Sequence, residues 1–144
     1  MTQMIFVNLP VADLDRSMAF YAALGFENDP NFTNEKAGCM KLSDTIMVML
    51  LTHEFWKTFT DKAIPDAKES AQVLLAISRE NRDAVDAIVD AAAAAGGRAD
   101  CNPVQNYGWM YGRSFEDPDG HVWEPSWMDL EAALAAPANA VDAA

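Results

Sequence analysis

Glu124 and Arg113 are the residues of this 144-residue chain whose types and spacing best suit joint chemistry. They flank Asp117-Pro118-Asp119-Gly120, where proline presets φ and glycine accepts a positive φ, the composition of a tight turn. A four-residue turn there pairs Glu116 with His121. It sets Arg113 opposite Glu124 and Tyr111 opposite Ser126 on one sheet face. An arginine beside a glutamate favours the ionised carboxylate, which makes Glu124 a poor general acid at neutral pH and only a modest base. Arg113 is then either one half of a satisfied cross-strand pair or an anchor for an anionic ligand group, with Tyr111 and Trp109 as aromatic walls.

Other reactive side chains are few. The two histidines are His53 and His121. His121 stands three positions before Glu124 on the same expected strand, so the two point to opposite faces. His53-Glu54-Phe55-Trp56-Lys57 is not an HExxH pattern and reads as a solvated turn. Cys39 and Cys101, 62 positions apart, fit neither a CxxC redox motif nor a zinc-finger spacing. Each is expected to pack as a small hydrophobe, with a Cys39–Cys101 disulfide as the less favoured alternative.

These residues must be held by regular elements. Met4 to Val11 alternates as a strand, and Asp13 caps a helix through Leu24 that Gly25 stops. Ala37 to Leu42 and Thr45 to Leu51 form a hairpin around Ser43-Asp44. His53 to Thr60 reads as one or two helical turns, and Asp61 to Ser70 as a polar linker. Gln72 to Ser78 is a strand, Asn81 caps a helix through Ala95, and Gly96-Gly97 ends it. Strands are expected at Arg98–Asn102, Trp109–Glu116 and His121–Met128. Trp123 and Trp127 alternate with Glu124 and are expected to pack away from it, under the helices. Met47, Met49, Phe55, Trp56 and Phe59 read as core or a subunit interface. Asp129 to Ala144 is Ala-rich, a short helix followed by a frayed tail.

The caps Asp13 and Asn81 lie 68 positions apart, as do Phe6 and Leu74 on the preceding strands. This fixed offset predicts a duplicated βαβββ unit, with module 4–52, linker 53–71, module 72–128 and tail 129–144 in a single domain, 1–144. Two such units set edge to edge form an α+β fold with an open, cup-shaped mixed sheet and helices outside. The cup is the concave site of such a fold.

Composition narrows the function classes. Half the residues (51%) are apolar and 22% are charged, which excludes disorder as the main description. The net charge of −12 repels phosphate backbones and acidic lipid surfaces, so neither nucleic acid nor a membrane is expected as a partner. The strongest apolar run, Ile46 to Leu51, has six residues, whereas a spanning helix needs about 20. Met1 to Met4 lacks the basic start of a signal peptide, and a cytoplasmic location is expected.

Val7-Asn8-Leu9-Pro10-Val11-Ala12-Asp13-Leu14-Asp15-Arg16-Ser17, followed by Phe20-Tyr21 and Leu24-Gly25-Phe26, resembles the opening of vicinal oxygen chelate proteins. These include glyoxalase I, bleomycin-resistance proteins and extradiol dioxygenases. Phe115-Glu116-Asp117-Pro118-Asp119-Gly120-His121-Val122-Trp123-Glu124 resembles their closing motif. Met110 to Asp117 is similar to a bacterial branch named predicted lactoylglutathione lyases. The resemblance implies paired βαβββ modules, a homodimer, and a divalent ion held from four strand positions in the metal-dependent members. Aligned by motif, those positions fall on Phe6, near Leu50, on Leu74 and on Glu124. Only Glu124 offers a lone pair, and a catalytic zinc usually takes three protein ligands. No metal and no cofactor are therefore expected.

The resemblance also implies that Glu124 faces the cup, and by the hairpin pairing Arg113, Tyr111 and Trp109 join it. The expected function is metal-independent binding of a small molecule in a cup lined by Phe6, Asn8, Leu50, Leu74, Trp109, Tyr111, Arg113 and Glu124. One alternative is a lyase or isomerase of the lactoylglutathione lyase type with Glu124 as the catalytic group. Another is an interaction protein with a vestigial cup.

Overall fold

The computed structural model describes residues 2–136, which fall into two compact units. One holds the chain up to Ser70 together with Pro118–His121, the other Ala71–Asp117 and the chain from Val122 onward. The fold is mixed α+β, and each unit carries its own sheet.

In the first unit β1 (Ile5–Val11) is followed by α1 (Leu14–Ala23), the two-residue β2 (Glu27–Asn28), a 3-10 turn (Pro30–Phe32), β3 (Ala37–Lys41), β4 (Ile46–Thr52) and the single-turn α2 (His53–Trp56). The sheet order is β1-β4-β3-β2, with β1 parallel and β3 antiparallel to β4. Asp13 caps α1 by accepting the Arg16 amide, and Gly25 at φ 98° turns the chain out of it. Leu9, Val11, Met40, Val48 and Leu50 share one face of the sheet and are buried. Burial of each such side chain is worth about 1.5–3 kcal/mol. This face packs against α1 so closely that a Cβ on Gly38 would lie 2.8 Å from the Met18 sulfur.

The second unit repeats the plan. β5 (Leu75–Ser78) leads to α3 (Arg82–Ala94), capped by Asn81, whose side chain accepts the Ala84 amide. β6 (Arg98–Ala99), β7 (Gln105–Asn106), β8 (Met110–Gly112), β9 (Phe115–Glu116), β10 (Val122–Met128) and α4 (Leu130–Ala135) follow. The first strand again lies parallel to the last, β5 to β10, and the last hairpin is antiparallel. Trp123 is buried and stacked on Phe115, and Trp127 lies under the Arg82 guanidinium of α3. Both tryptophans therefore turn away from Glu124, as the alternation predicts.

Three expectations need correction. The hairpin before β10 pairs Glu116 with Val122, not His121, so the connection Asp117–His121 is five residues long. His121 leaves the ladder because its Nε2 lies 2.8 Å from the Pro10 carbonyl oxygen, which can only accept. The expected strand Trp109–Glu116 breaks into β8 and β9 at Arg113-Ser114, where the Ser114 hydroxyl is bound to both backbone groups of Asn102. The strand expected over Arg98–Asn102 ends at Ala99, because Asp100 adopts φ 54° and turns the chain aside. The tail from residue 137 onward lies outside the described residues.

Candidate functional site

Glu124 lies in the middle of β10, in register with Ala76 of β5. The pairing of Ser126 with Gly112 places Gly112 on the Glu124 face of the sheet. Here the strands enclose a groove of about 90 Å³, whose lining includes Ala76, Met110, Gly112, Arg113, Ser114 and Glu124. Gly112 is tightly placed, since a Cβ there would come within 3.2 Å of the Met110 methyl carbon. The Glu124 carboxylate is half-buried and has neither a hydrogen bond nor an ion pair among the described residues.

Arg113 borders this groove, but its guanidinium is bound elsewhere. The one-residue register change moves Arg113 and Tyr111 to the opposite face, toward α3, where Tyr111 pairs with Trp127 rather than Ser126. Arg113 donates to Asp100 through Nε at 2.9 Å and Nη2 at 2.8 Å, and to Asp86 of α3 through Nη1 at 2.9 Å. Asp90 adds a contact at 3.5 Å. The Tyr111 hydroxyl donates to Asp86 at 2.6 Å. These bonds hold the Asp86 carboxyl below the ordinary carboxylate range, through Tyr111 first and Arg113 second, and Asp100 likewise through Arg113. The acceptor Asp86 raises the Tyr111 hydroxyl, and Asp100 raises the already high Arg113 guanidinium. The Arg113 guanidinium is thus committed to three carboxylates.

Of the other expected lining residues, Phe6, Asn8 and Leu50 belong to the first unit, and Leu74 and Trp109 to the second. Leu50 is fully buried on the α1 face of the first sheet, because β4 presents Val48 and Leu50 to the helix. Phe6 and Asn8 occupy the opposite face of that sheet with Met47 and Met49, and Phe6 is 54% exposed. The Asn8 side chain makes no hydrogen bond among the described residues. Leu74 precedes β5 and is exposed. Trp109 precedes β8, stacked on Tyr107 at 5.5 Å.

The donor set implied for a divalent ion does not fit one. Phe6, Leu50 and Leu74 carry no lone pair, and Leu50 faces the helix side of its sheet, leaving a single carboxylate. Among the described residues no three His, Cys, Asp or Glu side chains converge in a way that would hold a metal. Cys39 and Cys101 are free thiols, and burial together with the nearby Asp29 charge pushes the Cys39 thiol up, away from the reactive thiolate.

Sequence reasoning missed Asp86 and Asp100 as the partners of Arg113, and missed Ala76 and Gly112 as the walls beside Glu124. For Asp86 a signal exists: Asp83, Asp86 and Asp90 recur at helical spacing and form an acidic stripe that seeks a cation.

Residues 3–43 match the family described as the bleomycin resistance protein-like N-terminal domain. Comparison with curated protein sequences gives no match. A hypothetical protein of S. aureus superposes with a TM-score of 0.73 at 25% identity, covering 88% of this chain and 94% of that one. A glyoxalase/bleomycin resistance protein/dioxygenase family enzyme from Burkholderia phytofirmans PsJN gives 0.71 at 20% identity, over 88% and 99% of the two chains. A glyoxalase-related enzyme from Fulvimarina pelagi gives 0.72 at 21%, over 88% of each. Residues 3–43 thus resemble a bleomycin resistance protein-like N-terminal domain, and the chain shares the fold of the glyoxalase/bleomycin resistance/dioxygenase structures.

Proposed function

We propose that this chain binds a small organic molecule without a metal ion, in the groove beside Glu124. The observation that carries the reading is a half-buried carboxylate with no partner among the described residues, set among Ala76, Gly112 and Met110. A polar group withdrawn from water without a hydrogen bond is costly, and replacing it by an apolar side chain would remove that cost. A ligand bearing an amine or hydroxyl donor on an apolar body would satisfy the carboxylate and cover the groove. The test has two parts. Elemental analysis of protein purified without chelator should find no stoichiometric transition metal, and about one Ni, Zn or Fe per chain overturns the reading. Benzylamine should shift the amide signals of β5, β8 and β10 in a saturable way that Glu124→Gln abolishes, and an unchanged titration in that variant rejects the groove.

The unpaired Glu124 carboxylate also supports a second reading, a lyase or isomerase in which it moves a proton beside a carbonyl. Such a step needs an electrophile for the developing oxyanion, and Arg113, the obvious cation, is bound to aspartates on the other face. Turnover of the methylglyoxal–glutathione hemithioacetal that disappears in Glu124→Gln would favour this reading over binding alone. Absence of turnover with any added divalent metal removes it. A homodimer fits either reading: Ile5 and Phe6 are exposed on β1, the terminal strand of its sheet, as is Met4 just before it. Sedimentation of the purified chain tests it.

A further inference from the structure

Both histidines of the chain line one cavity of the first unit, about 700 Å³ in volume and distinct from the Glu124 groove. Its walls are the end of β1 and start of α1, the α2 turn, linker residues 63–68 and the turn 118–121. Arg16, Lys57 and Lys68 also line it, three of the ten lysines and arginines in a chain of net charge −12.

The acids present are already committed. Asp119 accepts from the Ala12 amide at 2.9 Å and the Ser17 hydroxyl at 3.2 Å, and its carboxylate lies 3.7 Å from Arg16. Asp66 accepts the Lys68 amide at 3.0 Å in a local turn. Lys57 and Lys68, by contrast, have no ion pair among the described residues, and neither does His53. His121 presents a protonated Nε2 to Pro10, as the carbonyl requires. With Arg16, Lys57 and Lys68 set against Asp66 and Asp119, the lining carries one net positive charge, opposite in sign to the whole chain.

The cavity is also built rather than incidental. Gly120 at φ 103° lies so close to the linker that a Cβ would meet the Lys68 nitrogen at 2.7 Å and the Ala67 carbonyl carbon at 2.8 Å. That contact fixes the linker against the turn and holds the Lys68 backbone in the wall. Pro10, Ile64, Pro65 and Pro118 give the walls apolar surface. The volume falls in the roughly 300–1,000 Å³ range of small-molecule sites and far exceeds an inorganic ion.

We propose that this cavity is a second binding site, taking a small organic anion. Lys57 and Lys68 would receive the phosphate or carboxylate group, and the proline-rich wall the apolar body. Lysine binds such groups as a point charge, so the affinity should fall with salt.

The full chain is titrated with phenyl phosphate, phenol and inorganic phosphate at low ionic strength, followed by amide NMR. Phenyl phosphate should saturate, with shifts confined to the neighbourhood of residues 10–16, 53–68 and 118–121. Phenol and inorganic phosphate should each bind at least about tenfold more weakly. Lys57→Ala/Lys68→Ala should lose at least about tenfold in phenyl phosphate affinity with an unchanged circular dichroism spectrum, since both side chains are exposed. Lys36→Ala/Lys41→Ala removes the same charge away from the cavity and should bind as wild type does. Phenol binding as tightly as phenyl phosphate, shifts centred elsewhere, or equal loss in the two double variants would each overturn the proposal.

Discussion

Arg113 grips Asp100 with two parallel hydrogen bonds, at 2.9 and 2.8 Å, while Asp100 holds a left-handed backbone at φ 54°. The pair links the end of β6 to the break between β8 and β9, and the third and fourth contacts, to Asp86 and Asp90, tie that corner to α3. The arginine that the sequence suggests as a ligand anchor is a structural fastener.

Arg113→Met should therefore lower stability by about 2 kcal/mol, in the range of hydrogen bonds to charged groups that lose their partner. It should leave benzylamine binding at the groove intact. Urea denaturation and the NMR titration measure the two effects separately. A stable variant that fails to bind would return Arg113 to the ligand site.

Acid should act on the same corner. Asp86 and Asp100 have folded-state pKa values below their unfolded values, so their contribution is present at neutral pH and is lost as pH falls below about 4. Tyr111 is shifted upward, so its contribution holds below about pH 10 and is lost as pH rises through that value. Wild type should lose stability toward both extremes more steeply than Arg113→Met on the acid side and Tyr111→Phe on the alkaline side. Chemical denaturation at about pH 3, 7 and 10.5 checks the signs.

Glycine substitutions separate backbone conformation from contact. Gly25 and Gly120 have nearly the same φ, 98° and 103°, but a Cβ on Gly25 meets nothing within 4 Å, whereas one on Gly120 strikes linker backbone. Gly25→Ala should cost about 1 kcal/mol for its left-handed conformation alone. Gly120→Ala should cost at least about 1 kcal/mol more and weaken phenyl phosphate binding as the linker shifts. Equal destabilisation of the two variants would show that the linker does not press on the turn.

Asp119→Ala removes acceptors from the Ala12 amide and from the fully buried Ser17 hydroxyl. A loss of about 1–3 kcal/mol is expected, measured by thermal or urea unfolding. Glu124→Gln should behave in the opposite manner and change stability by less than about 0.5 kcal/mol, because no group among the described residues bonds to that carboxylate. A large loss in Glu124→Gln would reveal a structural partner.

Much of the fold was legible because its signals are local. Asp13 and Asn81 each cap a helix through their own side chains, and Gly25 and Gly96 each adopt the positive φ that ends one. The alternation of Trp123, Glu124 and Trp127 turns both tryptophans away from Glu124, Trp123 into the core and Trp127 beneath Arg82 of α3. The site was less legible because it depends on strand parity, which a single residue inverts. His121 leaves the ladder to meet Pro10, 111 positions away, and no local pattern around Asp-Pro-Asp-Gly announces that fifth loop residue. Leu50 failed in the same way. A displacement of one position separates a residue buried beneath α1 from Met49, which shares the Phe6 and Asn8 face.

The turn Pro118–His121 governs how the two-unit chain can be divided. Its residues belong to the first unit although β9 and β10 on either side belong to the second, so the polypeptide passes between the units three times. A fragment ending at Ser70 keeps every strand and helix of its own half yet forfeits the acceptor for Ala12, the partner of Pro10 and the glycine seated on Lys68. Excision at the obvious midpoint therefore yields an incomplete fragment, and a sound one needs the tetrapeptide restored in trans or by permutation.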